Sequence, residues 1–227
     1  RASVASRGLG DVYKRQPITP LGLVLTAALA LNGDSEARYL MPILGGGILA
    51  SLVWLTWRSR IEGALNDWAL TLAGPLYTGW TISHVLLISD LAQGHEWLLM
   101  GILTIFVTDT TAFMAGRLFG GSPLAPRISP AKTWAGAIAG FCSAMVVVPL
   151  SGIILDLPLV LWESIALGSI IGVTAQLGDL VESLFKRSAG VKDTGGLIPG
   201  HGGILDRLDS VTLTMVLLYH FCVWWVR

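Results

Sequence analysis

Long apolar stretches constrain this chain more than any other feature. A helix of about 20 apolar residues crosses the hydrocarbon core of a bilayer, which is about 30 Å thick. Seven segments approach or reach that length: 18–32, 39–57, 68–91, 96–115, 134–154, 159–180 and 209–226. Only 13% of the residues are charged, against roughly 25% in soluble domains. The sequence therefore predicts an all-α fold, a polytopic membrane helix bundle with about seven spans.

The first residues, RASVASRGLGDVYKRQ at 1–16, differ in character from the rest. They are polar, do not begin with Met, and lack the apolar core of a signal peptide. We interpret 1–16 as a non-native remnant, and we expect the bundle to be N-terminally incomplete. Residues 17–227 contain no visible repeat or soluble linker, so they are predicted to form a single integral-membrane domain, with 105–210 as its most specific part.

Basic residues orient the predicted helices. Alternate loops contain nine of them, and the intervening loops and the C-terminus contain two, Arg38 and Arg227. The nine are Arg58, Arg60, Arg117, Arg127, Lys132, Lys186, Arg187, Lys192 and Arg207. Because Lys and Arg concentrate in cytoplasmic loops, these loops should face the cytoplasm of a bacterial-type inner membrane. The net charge is zero and no basic block indicates a nucleic-acid partner.

Three acidic residues stand near the ends of the last two apolar segments. Asp206 and Asp209 are three residues apart at the start of the final segment, so both point to one side of a helix. Asp179 lies near the end of the preceding segment. Carboxylates at such a depth are costly unless a cation pairs with them, and Mg²⁺ takes oxygen ligands of this kind. The alternatives are a solvated helix end at Asp179 and a helix-dipole interaction at Asp206 and Asp209.

The surrounding residues suit phosphate groups. Glycines at 195, 196, 200, 202 and 203 allow the backbone to approach a large anion. Lys186, Arg187, Lys192 and Arg207 supply positive charge for phosphate oxygens. His201 lies among these glycines, where it either contacts the ligand or shapes the loop. Acids for a metal, glycines and basic residues together indicate a nucleotide site at the membrane surface.

A second polar cluster lies in the loop at 116–136. Ser129, Lys132 and Thr133 come just before a new helix, where free N–H groups favour a phosphate. The alternative is an ordinary N-terminal helix cap. Upstream, Asp109 lies inside the fourth apolar segment, and an ionisable residue there is a functional candidate, the alternative being a hydrogen bond to a neighbouring helix.

These blocks resemble a known family. Ser183-Leu-Phe-Lys-Arg, followed by Lys192-Asp193 and by Ile198-Pro-Gly-His-Gly-Gly-Ile-Leu-Asp-Arg-Leu-Asp209, resembles the C-terminal motif of the phosphatidate cytidylyltransferases, also called CDP-diglyceride synthetases. SPAKTWAG at 129–136 and the segment from Asp109 to Phe113 resemble two further blocks, and the likeness covers roughly 68–227. Two residues depart from the family pattern. At Ala131 the family commonly has Lys or Asn, and at Ala135 it commonly has Glu.

The resemblance implies that CTP reacts with phosphatidic acid to give CDP-diacylglycerol and pyrophosphate. It implies Mg²⁺ as the cofactor, with a second cation beside it. It implies membrane lipids as surroundings and a homodimer as assembly. Its implied catalytic residues are Asp179, Asp206, Asp209, Lys186 and Ser183, the three aspartates being the metal ligands. Its implied substrate-binding residues are Asp109, Ser129, Lys132, Thr133, Arg187, Lys192, Asp193, His201, Gly202, Gly203 and Arg207.

Two alternatives remain open from the sequence. The same site chemistry would serve another lipid phosphate, such as an archaeal diether or an isoprenoid phosphate. The second alternative is a transporter instead of an enzyme, in which Asp109 and Asp179 would couple transport to ions or protons. A transporter predicts charged groups near the middle of the bilayer and a repeat in the two halves of the chain.

Overall fold

The computed structural model describes residues 17–32, 38–58, 61–191 and 205–226, with side chains left out at 58 and 205–208. The predicted remnant at 1–16 lies outside these residues. The first four helices are α1 (Thr19–Leu31), α2 (Leu40–Arg58), α3 (Ala64–Pro75) and, after a π-helical segment (Leu76–Trp80), α4 (Thr81–Ser89). The remaining elements are α5 (Gly94–Phe119), β1 (Pro123–Ala125), β2 (Ser129–Thr133), α6 (Trp134–Ile154), α7 (Leu161–Ser188) and α8 (Leu205–Trp225).

Each of the seven predicted apolar segments is helical, which confirms the all-α membrane helix bundle. By length and composition, four helices in the described part are able to cross a membrane: α2 over Leu40–Trp57, α5, α6 and α7. In hydrocarbon a backbone must satisfy its own hydrogen bonds, which a helix does within a single segment. The chain is therefore an integral membrane protein.

Two predicted segments differ from the helices observed. The segment 68–91 was expected as one span, but α3, the π-helical segment and α4 divide it. Pro75 ends α3. Because proline lacks an N–H group, it cannot donate the α-helical hydrogen bond at that point, and the π-helical segment follows. The segment 159–180 was too short, since α7 has 28 residues and is about 42 Å long. Asp179 and Lys186 therefore lie on one continuous helix.

The structure divides into two compact units, with the boundary between Leu87 and Ile88. The single domain expected for 17–227 stays a prediction. In the first unit, α1 packs against α2, α3 and the π-helical segment. The Ile18 N–H donates to Thr71 Oγ1 at 2.9 Å, which ties the start of α1 to α3.

The second unit is a bundle of α5, α6, α7 and α8, packed in chain order, with α5 also touching α7 and α8. Small residues make these contacts close, as is common between helices in membranes. A Cβ at Gly140 of α6 would lie 3.0 Å from the Thr108 carbonyl oxygen of α5. A Cβ at Gly168 of α7 would lie 2.7 Å from the Ala144 carbonyl oxygen of α6. Glycine is what allows these backbones to approach.

A short antiparallel hairpin of β1 and β2 connects α5 to α6, with Ala125 opposite Ser129 and Pro123 opposite Thr133. The sequence predicted only a polar loop here. Thr133 ends β2 and also caps α6, because its hydroxyl accepts a 3.2 Å hydrogen bond from the Gly136 N–H. The N-cap interpretation of Thr133 is therefore confirmed.

The close contact of α6 and α7 predicts a specific sensitivity at Gly168. A Gly168→Ala change places a methyl group against backbone atoms of Ala144 and Met145, and such overpacking costs about 1–3 kcal/mol. We expect the thermal unfolding midpoint in detergent to fall by a few degrees. Gly45→Ala in α2 is the matched control, since a Cβ there meets no atom within 4 Å. A Gly168→Ala protein as stable as the Gly45→Ala protein would contradict the packing.

Candidate functional site

One cavity of about 490 Å³ opens within the second unit, between its helices and the hairpin. Its polar lining comes from α5, α7, α8 and strand β2. The polar lining residues are Asp109, Arg117, Lys132, Thr133, Gln176, Asp179, Asp209 and Ser210. Its apolar lining includes Ala112, Phe113, Leu124, Ala131 and Ala137. The cavity is large enough for phosphate groups, and polar and apolar surfaces meet in it.

Three carboxylates from three helices face this cavity. Asp109 comes from α5, Asp179 from α7 and Asp209 from α8. They are close enough for the charges of Asp179 and Asp209 both to act on Asp109. Because like charges at short range repel, this arrangement favours a bound cation or a positively charged neighbour.

The close approach of α7 and α8 brings two of these carboxylates together. A Cβ at Gly178 would lie 2.3 Å from the Asp209 carbonyl oxygen. No other amino acid fits this position without moving one helix. Asp179 follows Gly178 directly, so the contact that requires glycine is also the contact that places Asp179 beside Asp209.

Two cationic side chains line the same cavity as the carboxylates. The Lys132 ammonium forms an ion pair with Asp179 Oδ2, which joins the hairpin to α7. Arg117, in the last turn of α5, lines the same cavity and has no ion-pair partner within the described residues. The cavity thus contains carboxylates for a cation and free positive charge for an anion.

Other predicted residues lie around the cavity but do not line it. Ser129 sits in β2. Ser183 donates to Asp179 Oδ1 at 3.5 Å, so it acts on the site through that carboxylate. Lys186 pairs with Glu182 at 3.3 Å, and Arg187 Nε donates to the Ile128 carbonyl at 3.4 Å. The structure therefore brings Asp109, Lys132, Thr133, Asp179 and Asp209 together.

The remaining predicted residues lie outside what the structure describes. Lys192, Asp193, His201, Gly202 and Gly203 fall in the segment 192–204. Asp206 and Arg207 are in the first turn of α8, but their side chains are not described. The helix does begin at Leu205, so the expected position of Asp206 and Asp209 at its start is confirmed.

Mg²⁺ fits the residues that line the cavity. The described residues contain no group of three or more His, Cys, Asp and Glu side chains placed to hold a metal ion. Mg²⁺ commonly takes only one or two carboxylates and completes its coordination with water and substrate phosphates. Asp179 and Asp209 are adjacent carboxylates that face the same cavity, which is a suitable pair.

Sequence reasoning missed four residues that the structure places at the site. Arg117 had been counted only as a loop charge, yet it lines the cavity, as do Gln176 and Ser210. Gln176 also bonds α7 to α6, through the Ala137 carbonyl at 3.1 Å. Glu182 is fully buried beside Asp209. For Gln176 and Glu182 the available signal was their spacing of three residues from Asp179, because residues three or four apart share a helix face. Arg117 lies on a different helix from Asp179 and Asp209, so this spacing gave no signal for it.

Ala131 lines the cavity, whereas Ala135, the other departure from the family pattern, does not. The departure at Ala131 therefore removes a polar side chain from the cavity wall. Ala135 is part of the first turn of α6.

Comparison with known proteins identifies a family and several relatives of this chain. Residues 11–225 match the model of a family described as the cytidylyltransferase family. A phosphatidate cytidylyltransferase of Staphylococcus saprophyticus is 41% identical over 160 residues, covering 70% of this chain and 61% of that protein. The chloroplastic phosphatidate cytidylyltransferase 4 of Arabidopsis thaliana is 41% identical over 209 residues, covering 88% of this chain and 50% of that protein.

A third relative, a phosphatidate cytidylyltransferase of Brucella abortus, is 41% identical over 154 residues, covering 66% of this chain and 55% of that protein. The chain thus spans about half to three fifths of the length of these relatives. The resemblance seen in the sequence motifs is confirmed, and the match over 11–225 shows that this chain belongs to the cytidylyltransferase family.

Proposed function

We propose that this chain transfers the cytidylyl group of CTP to phosphatidic acid. A phosphate oxygen of the lipid forms a bond to the α-phosphorus of CTP, and the bond from that phosphorus to the β-phosphate oxygen breaks. CDP-diacylglycerol and pyrophosphate are the products. The observation that carries the proposal is the cavity that joins Asp179 and Asp209 to Lys132 and Arg117, in a member of this family.

The chemistry requires little from the protein apart from charge and position. The lipid phosphate is already an anionic nucleophile, so no serine, cysteine or activating base is needed. The obstacle is repulsion between two polyanions, which cations offset. Positioning and electrostatic stabilisation are the usual means of phosphoryl-transfer enzymes.

The carboxylates would hold the metal. Asp179, Asp206 and Asp209 are the proposed Mg²⁺ ligands, of which Asp179 and Asp209 line the described cavity. Bound there, Mg²⁺ would neutralise charge on the triphosphate. Ser183 keeps Asp179 oriented through its hydrogen bond. A second cation and a homodimer, both implied by the family resemblance, stay predictions.

The cationic side of the cavity would hold phosphate. Lys132 is in strand β2 of the hairpin and pairs with Asp179, so its ammonium is already directed at the carboxylates. Arg117 has no ion pair in the described residues, and its guanidinium suits a phosphate bidentately. Arg117 stands one helical turn from Phe113, an exposed apolar lining residue. We assign Arg117 to the lipid phosphate, since acyl chains would follow that apolar surface.

Orientation and substrate access follow from the same features. Arg117 and Lys132, which line this cavity, belong to the basic residues of the predicted cytoplasmic loops. This favours a site on the cytoplasmic side, where CTP is present. The phosphatidic acid would enter laterally from the bilayer. Family membership argues against the transporter interpretation, for which no repeat is visible in the sequence.

A CTP incorporation assay tests the proposal. Membranes containing the protein, given labelled CTP and phosphatidic acid, should form labelled CDP-diacylglycerol. Asp209→Asn should lower the rate by at least about 100-fold, while Asp156→Asn, at an exposed turn between α6 and α7, should not. Isoprenoid and diether phosphates are offered in parallel. Incorporation with one of these alone would assign the site to that lipid instead.

The metal assignment predicts dependence on divalent ions. Chelation of purified protein with EDTA should reduce cytidylyl transfer to background, because Asp179 and Asp209 would repel the triphosphate without a cation. Added Mg²⁺ in excess of the chelator should restore the rate. Turnover that continues at the original rate in excess EDTA would refute the assignment.

The assignment of Arg117 predicts a change in one Michaelis constant. Arg117→Gln removes a charge-assisted contact, so the KM for phosphatidic acid should rise by about tenfold. The KM for CTP should stay within about twofold of the wild-type value. Arg127→Gln is the control, since Arg127 is exposed at the hairpin turn and does not line the cavity. A rise in the KM for CTP instead would move Arg117 to the nucleotide.

A further inference from the structure

Gln176 lines the cavity and has no role in the reaction as proposed above. It lies on α7, three residues before Asp179, so the two side chains share one face of that helix. Its side-chain Nε2 donates to the Ala137 carbonyl of α6 at 3.1 Å and to the Gly172 carbonyl of α7 at 2.8 Å. Both hydrogens of the amide nitrogen are therefore engaged.

These two hydrogen bonds fix the orientation of the Gln176 amide. A carbonyl oxygen accepts hydrogen bonds and cannot donate one, so only the nitrogen end of the amide can face Ala137 and Gly172. The remaining polar atom is Oε1, to which no described residue donates. Because Gln176 is half-buried and lines the cavity, the group that it offers to a ligand is an acceptor oxygen.

The surroundings of this oxygen differ from the hairpin side of the cavity. Lys132, a cation suited to phosphate, is in strand β2 of the hairpin, whereas Gln176 bonds to α6 beyond the hairpin. Around the contact with α6, the cavity is lined by Ala137, Gly136 and Ala112. Their side chains have one carbon or none, which leaves room for a planar ring beside the Gln176 amide.

An acceptor at this place matches only the part of the substrates that can donate. The phosphates and acyl esters of CTP and phosphatidic acid present acceptor oxygens. Donors belong to the nucleoside, namely the exocyclic amino group of cytosine and the hydroxyls of ribose. The amino group requires an acceptor, whereas a hydroxyl also bonds to donors. Uracil has a carbonyl oxygen in place of the amino group, so an acceptor at this point repels uracil.

We propose that Gln176 is the specificity-determining residue for the base, and that its Oε1 accepts a hydrogen bond from the exocyclic amino group of cytosine. A glutamine with a free amide would flip and donate to the uracil carbonyl instead. The bonds to Ala137 and Gly172 oppose that flip. This inference rests on the proposed function for the identity of CTP, while the orientation of the amide is independent of it.

Nucleotide binding in the absence of lipid tests the inference. The thermal unfolding midpoint of purified protein with Mg²⁺ is followed as CTP or UTP is added, and the half-maximal concentrations are compared. We expect wild-type protein to favour CTP by at least about 100-fold. Gln176→Met keeps the length of the side chain but loses the acceptor, so this preference should fall at least about tenfold. CTP should bind more weakly than to wild type, and UTP should not.

Two controls separate base selection from helix packing, since Gln176→Met also removes the bond to Ala137. Gly168→Ala disturbs the same pair of helices away from the cavity, and it should leave the preference for CTP unchanged. Gln93→Met removes a similar bond at an exposed site, from Gln93 Nε2 to the Asp156 carbonyl at 3.1 Å, and should behave like wild type. If Gln176→Met does not fold, Gln176→Asn, which shifts the amide oxygen, is measured in the same way.

The outcomes distinguish the roles that Gln176 would have. No preference for CTP in wild type, or an unchanged preference in Gln176→Met, would overturn the inference. If the preference is unchanged but the variant needs several-fold more Mg²⁺ for half-maximal stabilisation, Gln176 binds the metal instead. If the variant loses only a discrimination against 2′-deoxy-CTP, Gln176 binds the ribose instead. Wild-type protein that prefers CTP but forms no CDP-diacylglycerol would refute the proposed function alone.

Discussion

The candidate site depends on how closely α7 and α8 approach each other. Backbone atoms of Asp209 occupy the space that any side chain at Gly178 would need. That contact places carboxylates of two helices on one cavity, where each would repel the other without a cation. Lys132 from the hairpin supplies one positive charge. The carboxylates of the site thus come together because Gly178 has no side chain to separate α7 from α8.

Much of the fold could be predicted because a bilayer limits what a chain can form. An apolar run of sufficient length has to satisfy its backbone internally, so the run itself indicates a helix. The segment predicted at 134–154 coincides with α6. The hairpin could not be predicted in this way, since its strands of three and five residues carry no strong alternation. The break after Pro75 likewise depends on local hydrogen bonding.

The site was predictable only in part, for a related reason. Asp179 and Asp209 were found because charge in an apolar chain is conspicuous, and the family motif from Ser183 to Asp209 contains the second of them. Arg117 was missed because its role depends on which helices are neighbours, and spacing along one helix does not give that. Arg187, whose phosphate role stays a prediction, donates to the Ile128 carbonyl, a contact that requires the hairpin and that the sequence did not indicate.

Thr133 has a consequence for how the cavity responds to a ligand. Its hydroxyl accepts the Gly136 N–H at the first turn of α6, and the same residue lines the cavity next to Lys132. A connecting segment would ordinarily shift when an anion arrives. Here, displacement of this edge would break the cap of α6, so the backbone next to Lys132 is tied to the bundle. Little reorganisation energy would then be required when charge develops during a reaction.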